Sequence, residues 1–500
     1  MVKLVLAIRS LINKLKIILV HPTAYYSITV VLGQAMTVLS RLITNNILGP
    51  ELVGMLAHID LVRSYSMYFT SPFRSVIDME MPIIRGKRDS IGEQNLISQS
   101  LMLSIVVNLI FAIGVAVFSL FTTDATLQTV FFIFCVTNVF FQLFSFYQIL
   151  LRNFFQFKLL CIAILINTII VNILSVYGAA EWGLIGYLTA QGIGMILLVL
   201  WLISRRLFPI GWNFDRETFR LIVFKGSWIG LGGIFYGILL EIDRTIVIAT
   251  FPNKEIGYYS LVFLLIANLL VIVNTINATF IPIFLQSFGN GTKLKAIAVM
   301  LMENIIQRTF FFSLIIIILY ILIPAVIPIV LPSFTPGIPY AQDSMIRILP
   351  LALVSLASTI FSACNRNKAI LKFSLVGIIF GGCAIWCSIL LNGSLYMVTW
   401  VVNAFLFLFG TIVFISSSRL LNIKWYIIIG FVFFLGMMML FSIVIPYIAE
   451  LQVYYLQQFF LLSEITSRFC IGIILLVLFA SLWKLTYPFL LKLVSDPVES

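Results

Sequence analysis

A chain of 500 residues that is 61% hydrophobic and only 10% charged, with a mean hydropathy of +1.12, cannot wet its surface as an ordinary soluble globule. Its solvent is lipid over most of its length, and no loop is long enough to form a soluble catalytic domain. The net charge of +12 is spread over short loops between apolar runs, as membrane topology and anionic lipids demand, so a nucleic-acid partner is not expected.

In chain order, residues 3 to 19 come first. They mix Lys3, Arg9, Lys14 and Lys16 with Leu, Ile and Val. That pattern suits an interfacial amphipathic helix better than a cleaved leader, because no small-residue cleavage site follows. Apolar runs of about 20 residues, the length that crosses a hydrocarbon core, then recur to the end of the chain. About fourteen spans are predicted, near 24–47, 53–79, 98–121, 127–150, 158–177, 182–203, 226–248, 257–283, 306–331, 343–363, 370–391, 395–416, 424–447 and 467–489. Leu109 to Val117 and Leu314 to Ile323 are apolar on every side, which fits helices and excludes the alternating strands of a barrel. The predicted fold class is an all-α polytopic membrane protein.

Orientation follows from the basic residues, which stay on the cytoplasmic side during insertion. The even-numbered breaks hold Arg85, Lys87 and Arg88, then Arg152 and Lys158, then Arg205, Arg206, Arg216, Arg220 and Lys225. Lys293 and Lys295, then Arg366, Lys368 and Lys372, then Arg419 and Lys424 continue the series. The odd breaks carry Glu51, Asp124, Glu181, Asp343 and Glu450 against Lys254 alone. Both termini are therefore expected inside the cell, with anionic membrane lipids as partners of the basic face.

The chain divides into an N-terminal lobe at 1–203, a cytoplasmic amphipathic linker at 204–225, a C-terminal lobe at 226–416, and two further spans with a tail at 417–500. The two lobes look faintly alike, as transporter halves often do. Arg41 precedes Gly49-Pro50-Glu51-Leu52-Val53-Gly54 in the first, and Arg244 precedes Pro252 and Gly257 in the second. Span nine ends in Pro324, Pro328, Pro332, Pro336 and Pro339, which reads as a kinked helix end leading into an ordered loop, with an outward-opening hinge as the alternative.

No G-x-x-x-x-G-K-[ST] motif is present, so a nucleotide site is not expected. The six cysteines lie in or at the ends of apolar runs and form no C-x-x-C pair, so neither a metal nor any other cofactor is expected. Ionisable residues at membrane depth are more informative, since each costs about 2.5–3.5 kcal/mol or more unless it meets a partner or water. Arg41, Arg63, Arg244 and Arg347 are the candidates for a cationic, anion-holding cavity, because guanidinium forks suit diphosphate oxygens. Asp60, Asp243 and Glu241 are candidates for support or ion coupling. The competing account is structural pairing, since Asp60 and Arg63 stand three residues apart on one helix face.

Three stretches carry a resemblance. Ile47-Leu48-Gly49-Pro50-Glu51-Leu52-Val53-Gly54 is the first. The second runs from Glu241-Ile242-Asp243-Arg244-Thr245 through Gly257-Tyr258-Tyr259-Ser260 to Ile281-Pro282, and the third from Ile346-Arg347-Ile348-Leu349-Pro350 to Asn365-Arg366-Asn367-Lys368. In order and spacing they resemble the polysaccharide-type flippases of the multidrug/oligosaccharidyl-lipid/polysaccharide superfamily. The proline-rich end of span nine departs from the glycine-containing turn expected there. The resemblance implies two six-helix lobes around a central cavity, two additional C-terminal helices and alternating access. It also implies a flippase, not an enzyme, that moves undecaprenyl-diphosphate-linked repeat units of the O-antigen or capsule type across a bacterial inner membrane. Lipid-linked oligosaccharide is then the substrate, with polymerase and chain-length proteins of the same pathway as partners. The alternatives are a drug/cation antiporter of that superfamily and a membrane glycan polymerase or glycosyltransferase.

Overall fold

A computed structural model of the protein describes residues 22–208, 211, 214–289, 293–364, 366–440 and 484. The expected interfacial helix at 3–19, the outer segment at 449–466 and the last span lie outside the described residues. Among the described residues all regular structure is helical, and nine segments are long and apolar enough to cross a membrane. This is a multi-pass membrane protein.

In the first half, α1 (Pro22–Gly86) carries the first two predicted spans, and α2 (Ser90–Ser119) and α3 (Ala125–Asn153) carry the next two. α4 (Phe157–Leu165), a π-turn (Ile166–Val171) and α5 (Asn172–Ser204) follow. α6 (Arg216–Leu240) and the short α7 (Ile242–Thr250) lead into the second half. That half continues with α8 (Asn253–Gly289), α9 (Leu294–Val330), α10 (Ile338–Ser344), α11 (Ile348–Ala363), α12 (Asn367–Asn392), α13 (Leu395–Leu420) and α14 (Trp425–Leu440).

The breaks between spans have local causes. Within α1, Gly49 leaves helical geometry at φ 71° and ψ 171°, and Pro50 opens the second stretch with its φ already set for a helix. A Cβ at position 49 would meet nothing within 4 Å, so glycine is required by backbone conformation and not by space. α5 turns in the same way at Gly183, with φ 61° and ψ −142°. Elsewhere carboxylates and hydroxyls cap helix starts: Asp89 accepts from Gly92 N, Asp124 from Thr126 N and Leu127 N, and Ser394 from Met397 N. Asp215 caps α6 through the Thr218 hydroxyl and amide, which hold its carboxyl below the usual carboxylate range. The helix that starts at this cap includes residues 216–225 of the predicted linker and runs unbroken to Leu240.

Two compact units result, Met1–Gly237 and Ile238–Ser500. In the first, α3 packs on α2 and α5, and α1 on α2, α3 and α5. Membrane-depth polar groups inside it bond to one another across helices. Asn138 Nδ2 donates to Ser66 Oγ and Asn108 Oδ1 at 2.7 and 2.8 Å, Thr70 Oγ1 donates to Gln142 Oε1 at 2.9 Å, and Gln142 Nε2 donates to Ser66 Oγ at 3.1 Å. Gln142 thus serves α1–α3 packing. In the second unit α11 packs on α8 and α13 and is buried along most of its length. Here the proline run is accommodated without breaking the helix. α9 continues past Pro324 and Pro328 to Val330, and a 3-10 turn (Pro332–Gly337) leads to α10. Pro324 has no N–H for the Tyr320 carbonyl one turn earlier, and buried Gln342 Nε2 donates to that oxygen at 2.9 Å instead.

Candidate functional site

Each unit gathers arginines and carboxylates at membrane depth. In the first unit, Arg41 precedes the Gly49 kink and Asp60 and Arg63 follow it. Along a straight helix Arg41 and Asp60 would stand roughly 28 Å apart. The chain folds back at Gly49, and Arg41 Nη2 forms an ion pair with Asp60 Oδ2. Arg63 Nη1 lies 3.7 Å from Asp60 Oδ1, so one carboxylate serves two guanidinium groups. α5 supplies the remaining partners. Arg41 Nη1 donates to Tyr187 OH at 3.1 Å, Arg63 Nη2 donates to Gln191 Oε1 at 3.1 Å, and Gln191 Nε2 reaches Tyr187 OH at 3.4 Å. The Arg63 guanidinium also stands 4.3 Å from the Phe141 ring centroid. The three side chains together carry one net positive charge, and they are 23% (Arg41), 19% (Asp60) and 17% (Arg63) exposed. A cation-excess cluster of forked donors with residual access can receive an oxyanion.

The second unit treats the same residue types differently. Arg347, in a single 3-10 turn before α11, donates from Nη1 to Asp243 Oδ2 at 2.6 Å and from Nε to Asn403 Oδ1 at 2.8 Å. Its Nη2 donates to Tyr259 OH at 3.0 Å. Tyr259 OH donates to Asp243 Oδ2 at 3.2 Å, and Asp243 Oδ1 accepts from the Arg244 amide at 2.8 Å. Asn403 Nδ2 completes the set by donating to the Asp343 carbonyl at 2.9 Å. Arg347 and Asp243 are 3% and 5% exposed, so the group is charge-balanced, richly hydrogen-bonded and sealed. Arg244 pairs with Glu241 at 3.5 Å and lies 4.7 Å from the Phe263 ring centroid.

Ion pairs thus join Arg41 and Arg63 to Asp60, Arg347 to Asp243, and Arg244 to Glu241. Arg74 donates to the Met67 carbonyl at 2.7 Å, and Asp78 pairs with Arg152 at 2.6 Å. Tyr259, Asn403 and Tyr187 complete the clusters without a sequence signal of their own. Arg308 was also missed. It sits at the edge of the ninth apolar run, where it reads as a basic flank, yet it is buried. The available signal was that positions 304, 305, 311 and 312, three and four residues away, hold no acid.

No protein-family model matches the sequence, and no curated protein matches it. Solved structures match over most of the chain. One is an inward-facing multidrug-resistance MATE family transporter of the MOP superfamily, with a TM-score of 0.65 and 14% identity over 78% of this chain and 94% of that one. The chain shares the fold of that transporter. The lipid II flippase MurJ in an inward closed conformation matches with a TM-score of 0.68 and 13% identity, over 92% of this chain and 98% of that one. A MOP superfamily transporter from Pyrococcus furiosus matches at 0.57, with 13% identity over 80% and 96%. All three are transport proteins, and at these identities the likeness extends to the fold and not to individual residues.

Proposed function

We propose that this protein is a flippase that carries an undecaprenyl-diphosphate-linked oligosaccharide repeat unit, of the O-antigen or capsule type, from the inner to the outer leaflet of a bacterial inner membrane by alternating access. The observation that supports this reading is the Arg41–Asp60–Arg63 cluster, in which two guanidinium groups share one carboxylate at membrane depth. The surplus positive charge offsets part of the diphosphate's negative charge while the polyprenyl tail stays in lipid. Arg244 is the candidate for a further anion contact, and Arg347 serves as a brace. Anionic lipids bind the basic loops, both termini lie in the cytoplasm, and polymerase and chain-length proteins act downstream. The likeness to a multidrug-resistance transporter favours a second reading, drug or cation antiport. A cation carrier needs an available carboxylate, however, and Asp60 is already engaged by two arginines.

The test is to delete the gene from its host and label lipid-linked glycan with an enzyme that reaches only the outer face. Retention of the repeat unit on the cytoplasmic side, reversed by the wild-type protein but not by Arg63→Gln, is the expected result. Single units accumulating on the outer face would make the protein a polymerase instead. An unchanged lipid-linked pool together with new sensitivity to organic cations would select the antiporter.

A further inference from the structure

Arg308 stands apart from the arginines above. It lies on α9, nearer the end that the charge pattern assigns to the cytoplasm, and is 5% exposed. Its Nη1 donates to Asn277 Oδ1 on α8, and its plane lies 5.1 Å from the Phe280 ring centroid. Asn277 is itself held by α11, its Nδ2 donating to Ser355 Oγ at 2.5 Å. None of the ion pairs among the described residues includes Arg308, and its Nε and Nη2 have no hydrogen-bond partner. A guanidinium cannot escape burial by losing its proton, and a neutral amide does not offset a full charge. Which donors are unused is also informative. Nε–H and the Nη2–H beside it lie along one edge of the planar group, the edge that grips two oxygens of a phosphate or carboxylate side by side. The neutral Asn277–Ser355 pair engages the opposite edge and fixes the plane.

We propose that Arg308, positioned by Asn277 and Ser355, is a phosphate seat within the second unit, separate from the Arg41–Asp60–Arg63 cluster. The phosphate comes either from the diphosphate of the carried lipid, which rests on the flippase reading, or from the headgroup of a cytoplasmic-leaflet phospholipid, which does not. One edge-on fork selects tetrahedral oxyanions over halide ions, because a single sphere cannot satisfy two parallel N–H donors as well as two oxygens do.

The experiment measures thermal unfolding and ligand binding of the full chain in neutral detergent, with inorganic pyrophosphate, farnesyl diphosphate or phosphatidylglycerol as probes and chloride as the control. The expected result is that farnesyl diphosphate or phosphatidylglycerol raises the Tm of the wild type. Arg308→Lys, which keeps the charge but loses the fork, should bind about tenfold more weakly, and Arg308→Gln should not respond. In probe-free detergent Arg308→Gln should unfold no earlier than the wild type, since it removes an unbalanced buried charge. Farnesyl diphosphate that displaces phosphatidylglycerol assigns the seat to the carried lipid, whereas phosphatidylglycerol binding that it cannot displace assigns it to the bilayer. Equal response of wild type and Arg308→Gln to every probe, or early unfolding of Arg308→Gln that no probe affects, would overturn the seat. Failure of the leaflet assay with this binding pattern intact would remove the flippase reading and leave the seat standing.

Discussion

The Arg41 cluster of the first unit and the Arg347 cluster of the second are built from the same residue types, yet the first joins two arginines to one aspartate and the second joins one arginine to one aspartate. Around Arg347 one carboxylate, a phenol, an amide and a backbone carbonyl lie within reach of one guanidinium, and the group is sealed. Around Asp60 two guanidinium groups compete for one carboxylate, and each side chain keeps some access. The comparison teaches that a charge at membrane depth is not in itself a ligand site. What matters is how much charge and how many donors remain after the neighbouring helices have taken their share.

The difference can be broken most severely at Arg347. Arg347→Ala leaves Asp243 buried without its cation and should destabilise the second unit by about 3–5 kcal/mol, seen as loss of folded protein in thermal unfolding. Survival of Arg347→Ala with an unchanged Tm would contradict its role as a brace. A smaller effect is expected at Gln342, where Gln342→Leu strands the Tyr320 carbonyl at a cost of about 1–3 kcal/mol. Pro324→Ala restores a backbone donor to that oxygen, so the double variant should recover most of the lost stability. Additive losses in the double-mutant cycle would refute the substitution of Gln342 for the missing N–H.

The first unit should respond the other way round. Arg63→Gln, which leaves Asp60 paired with Arg41, should leave a folded protein but reduce transport at least tenfold, or about 1.4 kcal/mol, in the leaflet assay. The smallest effect falls on the turn that brings the cluster together. Gly49→Ala forces a Cβ into a backbone conformation, φ 71° with ψ 171°, that is essentially glycine's alone, and should cost about 1 kcal/mol, with Gly49→Asn faring no better. Equal Tm values for wild type and Gly49→Ala would show that the kink does not depend on glycine.

Much of the fold was legible one segment at a time. The positions near 49 and 183 announce themselves by glycine between apolar runs, and Asp89, Asp124 and Ser394 by their residue type at helix starts. The site was legible only as a list. Arg41, Arg63, Arg244 and Arg347 look equivalent in sequence because the cost of a buried charge is the same for each until its partners are known. Arg308 escaped notice for the complementary reason, since a basic residue at the edge of an apolar run suggests a flank and not a buried side chain.

By itself the sequence determined that this protein lives in a membrane, crosses it many times as helices and carries its positive charge on alternate loops. Hydropathy and charge balance are sums over contiguous residues, so they survive without knowledge of the neighbours. Only the tertiary structure decided that Asn403 and Tyr259 close around Arg347, that Gln342 replaces the amide missing at Pro324, and that Arg308 keeps an unused edge. These outcomes depend on which helices pack side by side, and in a medium without water each buried donor must find its partner across that packing or go without.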